Sequence, residues 1–281
     1  MPKTLLSDRS VLSVSGEDAT TFLNSLTTCA VERISPGSAG YGALLTPQGK
    51  IAVDFILYRI SEDHYILDVD ETVFPNFEKR LSMYRLRSKV VLKDLSEQYR
   101  VFAGWDEEPL CPALASTVDP RLRELGWRAV SEKKTYSDLV PATEFHKHRI
   151  QLGIPEGGKE FLFLETYPHE ALMDQFNSLD FKKGCYIGQE VVSRIHHRGQ
   201  IRSRILPVRF DERMTFYPGS DVKAGEKVIG KTTGGREGYG FAVIRLELAG
   251  QALKDGLELK VGEYPLTLAK YPWMRFSLPG C

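Results

Sequence analysis

The sequence predicts an α+β chain that ends in a separate all-β module. Three observations carry the prediction. Within the first hundred or so residues, amphipathic helical stripes alternate with strand-like runs joined by tight turns. From about residue 199 onward, short strand-like pieces are separated by glycine turns. With 281 residues, 42% hydrophobic and 26% charged, the composition is that of an ordinary globular protein with room for one large domain or two to three small ones.

The elements follow in order. VLSV (11–14) predicts a short strand, and Ser15-Gly16-Glu17-Asp18 opens a helix, with acids near its positive end. Ala19, Phe22, Leu23 and Leu26 share one face of that helix. Residues 41–69 read as GYGALL, the turn TPQG, KIAVDFILYRI, a turn at SED, and HYILDV. Pro47 pre-sets the first turn and Gly49 supplies positive φ. Phe74, Phe77, Leu81 and Tyr84 form one amphipathic stripe, and KVVL (89–92) returns to strand. Residues 104–125, with Pro109, Pro112 and Pro120, read as an irregular connection. LGWRAV (125–130) predicts a strand, and a helix follows over 140–150. IRSRILPVRF, GEKVIGKTT, YGFAVIRLEL, LELKV and YPLTLAKY then read as strands of a barrel or sandwich of roughly 80 residues.

Charge and cysteine usage narrow the function. Lys plus Arg equals Asp plus Glu at 37 each, so only a local basic patch would attract nucleic acid. No apolar run approaches the roughly 20 residues that span a bilayer, and the N-terminus lacks a secretory h-region; no membrane partner is expected. Cys29, Cys111, Cys185 and Cys281 lie far apart. That spacing argues against a zinc or local cluster-ligand motif and fits free thiols in a cytoplasm or organelle matrix.

GEKVIGKT (225–232) matches the phosphate-loop pattern G-x-x-x-x-G-K-[ST]. Such a loop must open a helix. Here TGGREGYG follows, which cannot start one, so a β-hairpin is expected instead.

KKGCYIGQE (182–190) is the strongest site candidate. Gly184 and Gly188 bracket Cys185 and permit positive φ or close approach. Lys182 and Lys183 stand next to the thiol, and a nearby cation favours thiolate. The alternative is a buried structural cysteine at a tight turn. Lys182, Lys183, Arg194, Arg198, Arg202 and Arg204 face one acid, Glu190, between 182 and 204. That run would bind a polyanionic tail, a phosphate or RNA, or else is a solvated basic face. His196-His197 and His146/His148 are weak metal candidates; a pair two apart does not share a helix face. Asp54 lies inside an apolar strand, where it either lines a pocket with Ala52 and Ile56 or is partly exposed. Glu165 and Glu170 flank a turn that either feeds a pocket or is solvated. These patterns stop at a small-molecule site near a reactive cysteine.

The run FKKGCYIGQEVVSRIHHRGQIRSRILPV resembles the signature of the YgfZ family, K-G-C-[FY]-x-G-Q-E. These are folate-binding relatives of the glycine-cleavage T-protein (aminomethyltransferase). GEDATTFLNSLTT, ALLTPQGKIAVDFILYRI, LSMYRLRSKVVL, DPRLRELGWR and HKHRIQLGIPEG fall in the family's order, so the likeness covers nearly the whole chain. It is closest in kind to the branch with the mitochondrial iron–sulfur assembly factor. The resemblance implies a GcvT-like, three-domain α+β architecture around a channel. Residues 1–48 with 140–198 would form a first domain, 49–139 a second, and 199–281 a C-terminal β-barrel. It implies tetrahydrofolate, or a one-carbon derivative, as cofactor, with no resident metal or cluster. It implies a role in assembly, maintenance or repair of [4Fe–4S] proteins, including those that thiomethylate tRNA. Partners would be iron–sulfur client or assembly proteins, without direct tRNA binding. The location would be cytoplasmic in a bacterium, or the mitochondrial matrix in a eukaryote.

By the same resemblance Cys185 is the key residue, within Lys183, Gly184, Tyr186, Gly188, Gln189 and Glu190. Asp54 and Glu170 would meet the folate, Glu170 at the pterin, and Arg202 or Arg204 would meet its carboxylates. The T-protein's Asp-Asp pair reads Val53-Asp54 here. That departure implies that aminomethyl transfer, the alternative activity, is lost or repurposed. A single cysteine cannot hold a cluster alone, which leaves transient ligation shared with a partner, or redox chemistry.

Overall fold

The hairpin around TPQG is the centre of the first sheet. The computed structural model describes residues 2–105, 113–133, 136, 138–199 and 201–280. They form two compact units, Met1–His146 with Phe176–Val191, and Lys147–Gln175 with Val192–Cys281.

The first unit opens with β1 (Lys3–Leu6), β2 (Arg9–Ser15) and helix α1 (Ala19–Leu26), followed by β3 (Ala39–Leu45), β4 (Ile51–Ser61) and β5 (His64–Asp70). Helix α2 (Phe74–Arg85) leads to β6 (Val91–Asp94), β7 (Tyr99–Gly104), β8 (Ala115–Val118) and β9 (Trp127–Glu132). β3-β4-β5-β2-β6 form one antiparallel sheet, and β1-β7-β9-β8 a second.

Alternation decides what each face of the larger sheet carries. Leu12, Val14, Val53, Phe55, Leu57, Leu67 and Val69 join Phe22 and Leu23 of α1 and Phe77 and Leu81 of α2 in one core. The residues between them point the other way and are also buried, polar ones included: Asp54 and Asp68 are 3% and 0% exposed. Burial alone pushes the Asp68 carboxyl pKa up, but Arg128 and Arg9 outweigh it and hold it below the usual range. Both guanidinium groups lie 2.5 Å from its oxygens. Because Arg128 stands on β9, this ion pair ties the two sheets together.

One local expectation of the first unit is corrected. Within the stretch read as an irregular connection, Ala115–Val118 is a strand, formed by pairing with β9 rather than by its own weak pattern. Residues 106–112, with Pro109 and Pro112, lie outside the described residues. Asp18 caps α1 with no side-chain bond; its carboxylate accepts the Lys89 N–H at 2.7 Å instead.

Helix α3 (Ala142–Gln151) follows, then α4 (Gln189–Arg198) directly after the cysteine loop. The second unit contains β10 (Ser203–Arg209), β11 (Thr215–Phe216), β12 (Asp221–Ala224), β13 (Lys227–Arg236) and β14 (Tyr239–Arg245). It ends with α5 (Leu246–Lys254), β15 (Leu259–Val261) and β16 (Tyr264–Leu268). Six strands close in the order β13-β12-β15-β16-β10-β14, and β11 is appended to β13. YGFAVIRLEL is therefore strand only to Arg245; its last residues begin α5, which buries Ala249 and Ala252. The phosphate-loop lookalike is the β12–β13 hairpin, with Gly225 at φ +56° in its turn.

Candidate functional site

The cysteine loop is held at both ends and open in the middle. Asp180 starts it: its Oδ1 accepts the N–H of Lys182 at 2.7 Å and of Lys183 at 2.8 Å. Its own N–H donates to the Thr28 carbonyl at 3.0 Å. Lys183 then turns inward. Its ammonium donates to the carbonyls of Thr27 and Cys29, each at 2.7 Å, and it lies 5.2 Å from the centre of the Tyr186 ring. Burial pulls its pKa down to about 8, against the opposing pull of Cys29 and Asp180. Tyr186 is buried as well, and burial pushes its phenol pKa well up. Between these anchors Gly184 and Cys185 are exposed. The thiol is thus presented outward; of the two lysines expected beside it, Lys183 is engaged inside and Lys182 is exposed.

The far end is fixed by close packing. Gly188 has φ +79°, and a Cβ there would lie 2.6 Å from the Thr46 carbonyl oxygen and 3.1 Å from the Cα of Gly49. The signature loop therefore rests on the TPQG turn. Gly184 has neither property: its φ is not positive and an added Cβ meets nothing within 4 Å. Gln189 accepts the Tyr186 N–H at 3.3 Å through its side chain, and Glu190 stands exposed in the first turn of α4. Thr27, Cys29, Asp180 and Thr46 are partners that sequence reading missed. Only Asp180 left a signal, an Asx-type turn two and three residues before the lysines.

Elsewhere in the first unit, Asp54 accepts the Tyr41 hydroxyl at 2.8 Å. In the second unit, a mostly apolar cavity of about 650 Å³ is walled by Phe161, Ile205, Val228 and Val243 and carries Glu165 and Glu170. Its volume suits a small-molecule ligand. One Glu170 oxygen accepts the Tyr167 N–H at 2.9 Å, and the Glu170 carbonyl accepts the Ile205 N–H at 2.8 Å, which fixes the residue on the barrel. Arg202 is exposed. Arg204 is buried, bonded to both Asp174 oxygens at 2.8 and 2.7 Å and to the His169 carbonyl at 2.8 Å. Beside it, burial drives the His169 pKa down to about 4; Asp174 opposes that shift and Arg204 adds to it. The His169 and His196 rings lie 6.2 Å apart. Among the described residues no group of three His, Cys, Asp or Glu side chains is placed to hold a metal ion.

Comparison with known proteins places these features in context. The GCVT N-terminal domain model matches residues 6–105, and the CAF17 C-terminal beta-barrel domain model matches residues 202–276. The human mitochondrial iron–sulfur cluster assembly factor IBA57 is 32% identical over 291 residues, spanning 92% of this chain and 80% of that protein. The mouse protein of that name is 31% identical, over 93% and 81%. The Mycosarcoma maydis homolog is 32% identical over 72% of this chain, which spans 55% of that longer protein. Among solved structures, the glycine cleavage system aminomethyltransferase T from Bartonella henselae superposes with a TM-score of 0.78 over 97% of this chain and 86% of that one. At 14% identity this likeness establishes the GcvT-like fold alone.

Proposed function

Because this chain belongs to the IBA57 family of iron–sulfur cluster assembly factors, we propose that it serves the assembly, maintenance or repair of [4Fe–4S] proteins through the Cys185 thiol. The observation that carries this reading is the exposed Cys185 between the buried anchors Lys183 and Tyr186. A thiol held outward on a fixed loop suits a group that must reach a partner. One thiolate supplies one ligand, and a cluster needs more. The iron–sulfur group is then cargo, ligated transiently by Cys185 together with thiolates of an assembly or client protein. Proteins that thiomethylate tRNA fall within the proposed clients, as in the YgfZ-type signature.

Tetrahydrofolate is the proposed small-molecule cofactor. The cavity in the second unit fits its pterin chemically: apolar walls for the ring, and the Glu165 and Glu170 carboxylates to accept its N–H groups. Arg202, exposed just before β10, is the proposed partner of the folate carboxylates. Arg204 is already engaged by Asp174. A fluorescence titration with a reduced folate should show binding that Glu170→Gln weakens. The location proposed is the mitochondrial matrix in a eukaryote and the cytoplasm in a bacterium.

A strain lacking the gene tests the assignment. Activity of a [4Fe–4S] enzyme should fall while glycine cleavage in the same extracts stays intact. Loss of glycine cleavage with intact iron–sulfur enzymes would make the protein an aminomethyltransferase instead.

A further inference from the structure

The stretch from Lys79 to Lys93 carries six cations and no acid, in a chain whose formal charges cancel. It runs from the middle of α2 through a turn into β6, an edge strand. Helix α2 buries Phe74, Phe77 and Leu81. Helical periodicity turns Lys79 and Met83 to the opposite side. Met83 is 67% exposed, Leu86 87% and Val91 59%. Met83 and Leu86 thus stand in water beside Arg85 and Arg87, whereas Val91 and Lys93 lie on the other face of the sheet, because Leu92 between them packs into the core that α2 covers. Lys89 pairs with Glu17 at 2.7 Å. Lys79, Arg85, Arg87 and Lys93 have no carboxylate partner among the described residues.

Leu86 adds an independent observation. It closes α2 at φ +44°, a region that favours glycine, yet it is a leucine and the most exposed large apolar side chain among the described residues. A strained backbone that holds an apolar side chain in water points to a use for that side chain.

We propose that this surface attaches the protein to an anionic lipid bilayer. Met83 and Leu86 enter the interfacial layer, while Lys79, Arg85 and Arg87 face the lipid phosphates. The pairing of aliphatic side chains with cations favours lipid over a single-stranded nucleic acid, which would be met by stacking aromatics. The attachment is peripheral, since no described helix is long and apolar enough to cross a membrane. It goes beyond the expectation of no membrane partner, and it is independent of the role assigned to Cys185.

The test is co-sedimentation of the full chain with vesicles of phosphatidylcholine alone, and of phosphatidylcholine with about one third phosphatidylserine. The protein should pellet with the anionic vesicles only, and less as salt is raised. Each basic residue contributes about fivefold to partitioning, so Arg85→Glu with Arg87→Glu should lower it more than tenfold. Leu86→Gly keeps every charge and removes the positive-φ strain. Its thermal midpoint should be equal to or above that of the wild type, while vesicle partitioning falls about fivefold. Equal pelleting with neutral and anionic vesicles, or none with either, would overturn the proposal. So would a Leu86→Gly protein that binds like wild type while added RNA displaces both, an outcome that would make the patch a polyanion site.

Discussion

The Lys183 ammonium donates to the Cys29 carbonyl at 2.7 Å, joining residues 154 positions apart in the chain. With the equal bond to Thr27 it fixes where the Cys185 loop sits. Lys183→Met removes the donor from two buried carbonyls and should cost about 2–4 kcal/mol. Cys185→Ala, at an exposed position, should change stability by less than about 0.5 kcal/mol. Urea unfolding of the two variants checks the contrast. Equal stabilities would mean that the loop is not held by this lysine.

The two glycines of the signature should behave differently. Gly188→Ala forces a Cβ toward the Thr46 oxygen at a positive φ, and should cost at least about 1–3 kcal/mol. Gly184→Ala meets nothing and should fold with wild-type stability. Thermal unfolding measures both.

His169 makes stability depend on pH. Its folded pKa of about 4 lies below the usual 6.5. Between these values the unfolded chain binds the proton more readily, so acidification favours unfolding. The wild type should lose up to about 3 kcal/mol of stability from this group as pH falls from about 6.5 to about 4. His169→Gln should flatten that part of the profile, measured by denaturant unfolding across the range.

Arg204 and Asp174 should be coupled. Arg204→Ala leaves the largely buried Asp174 carboxylate without its cation, with only the Gln175 amide still bonded to it, and should cost about 3–5 kcal/mol. In the double variant with Asp174→Ala the losses should be less than additive, by more than about 1 kcal/mol. Arg202→Ala should leave stability unchanged and weaken reduced-folate binding. If Arg202→Ala binds folate normally, another group meets the folate carboxylates.

Much of this architecture was legible in the sequence. The stripe Phe74, Phe77, Leu81 and Tyr84 marked α2, and alternation through KIAVDFILYRI marked β4, because local periodicity and burial agree there. The strand Ala115–Val118 was not legible, since its pairing with β9 is a tertiary contact. Reading IRLEL as strand failed because Leu246 and Leu248 fit either period over so short a run. In the cysteine loop, the positive φ and close approach expected of the two glycines hold at Gly188 and not at Gly184, and the sequence left open whether Cys185 is buried or exposed. The inward turn of Lys183 was not legible, because its acceptors are backbone carbonyls that carry no side-chain signal. Glu165 and Glu170, read as either feeding a pocket or solvated, line a cavity with Glu165 still exposed; its opposite wall comes from barrel strands distant in sequence. The basic apolar surface at 79–87 was not legible, because the periodic stripe of α2 marks only its buried face.

The central claim is that Cys185 acts and Cys29 does not. The most direct measurement is the activity of a [4Fe–4S] enzyme in a strain lacking the gene, supplied with wild type, Cys185→Ala or Cys29→Ala at matched protein levels. The account predicts that wild type and Cys29→Ala restore activity, since Lys183 uses only the backbone carbonyl of residue 29, and that Cys185→Ala does not. Full rescue by Cys185→Ala would contradict it and leave the loop a structural element.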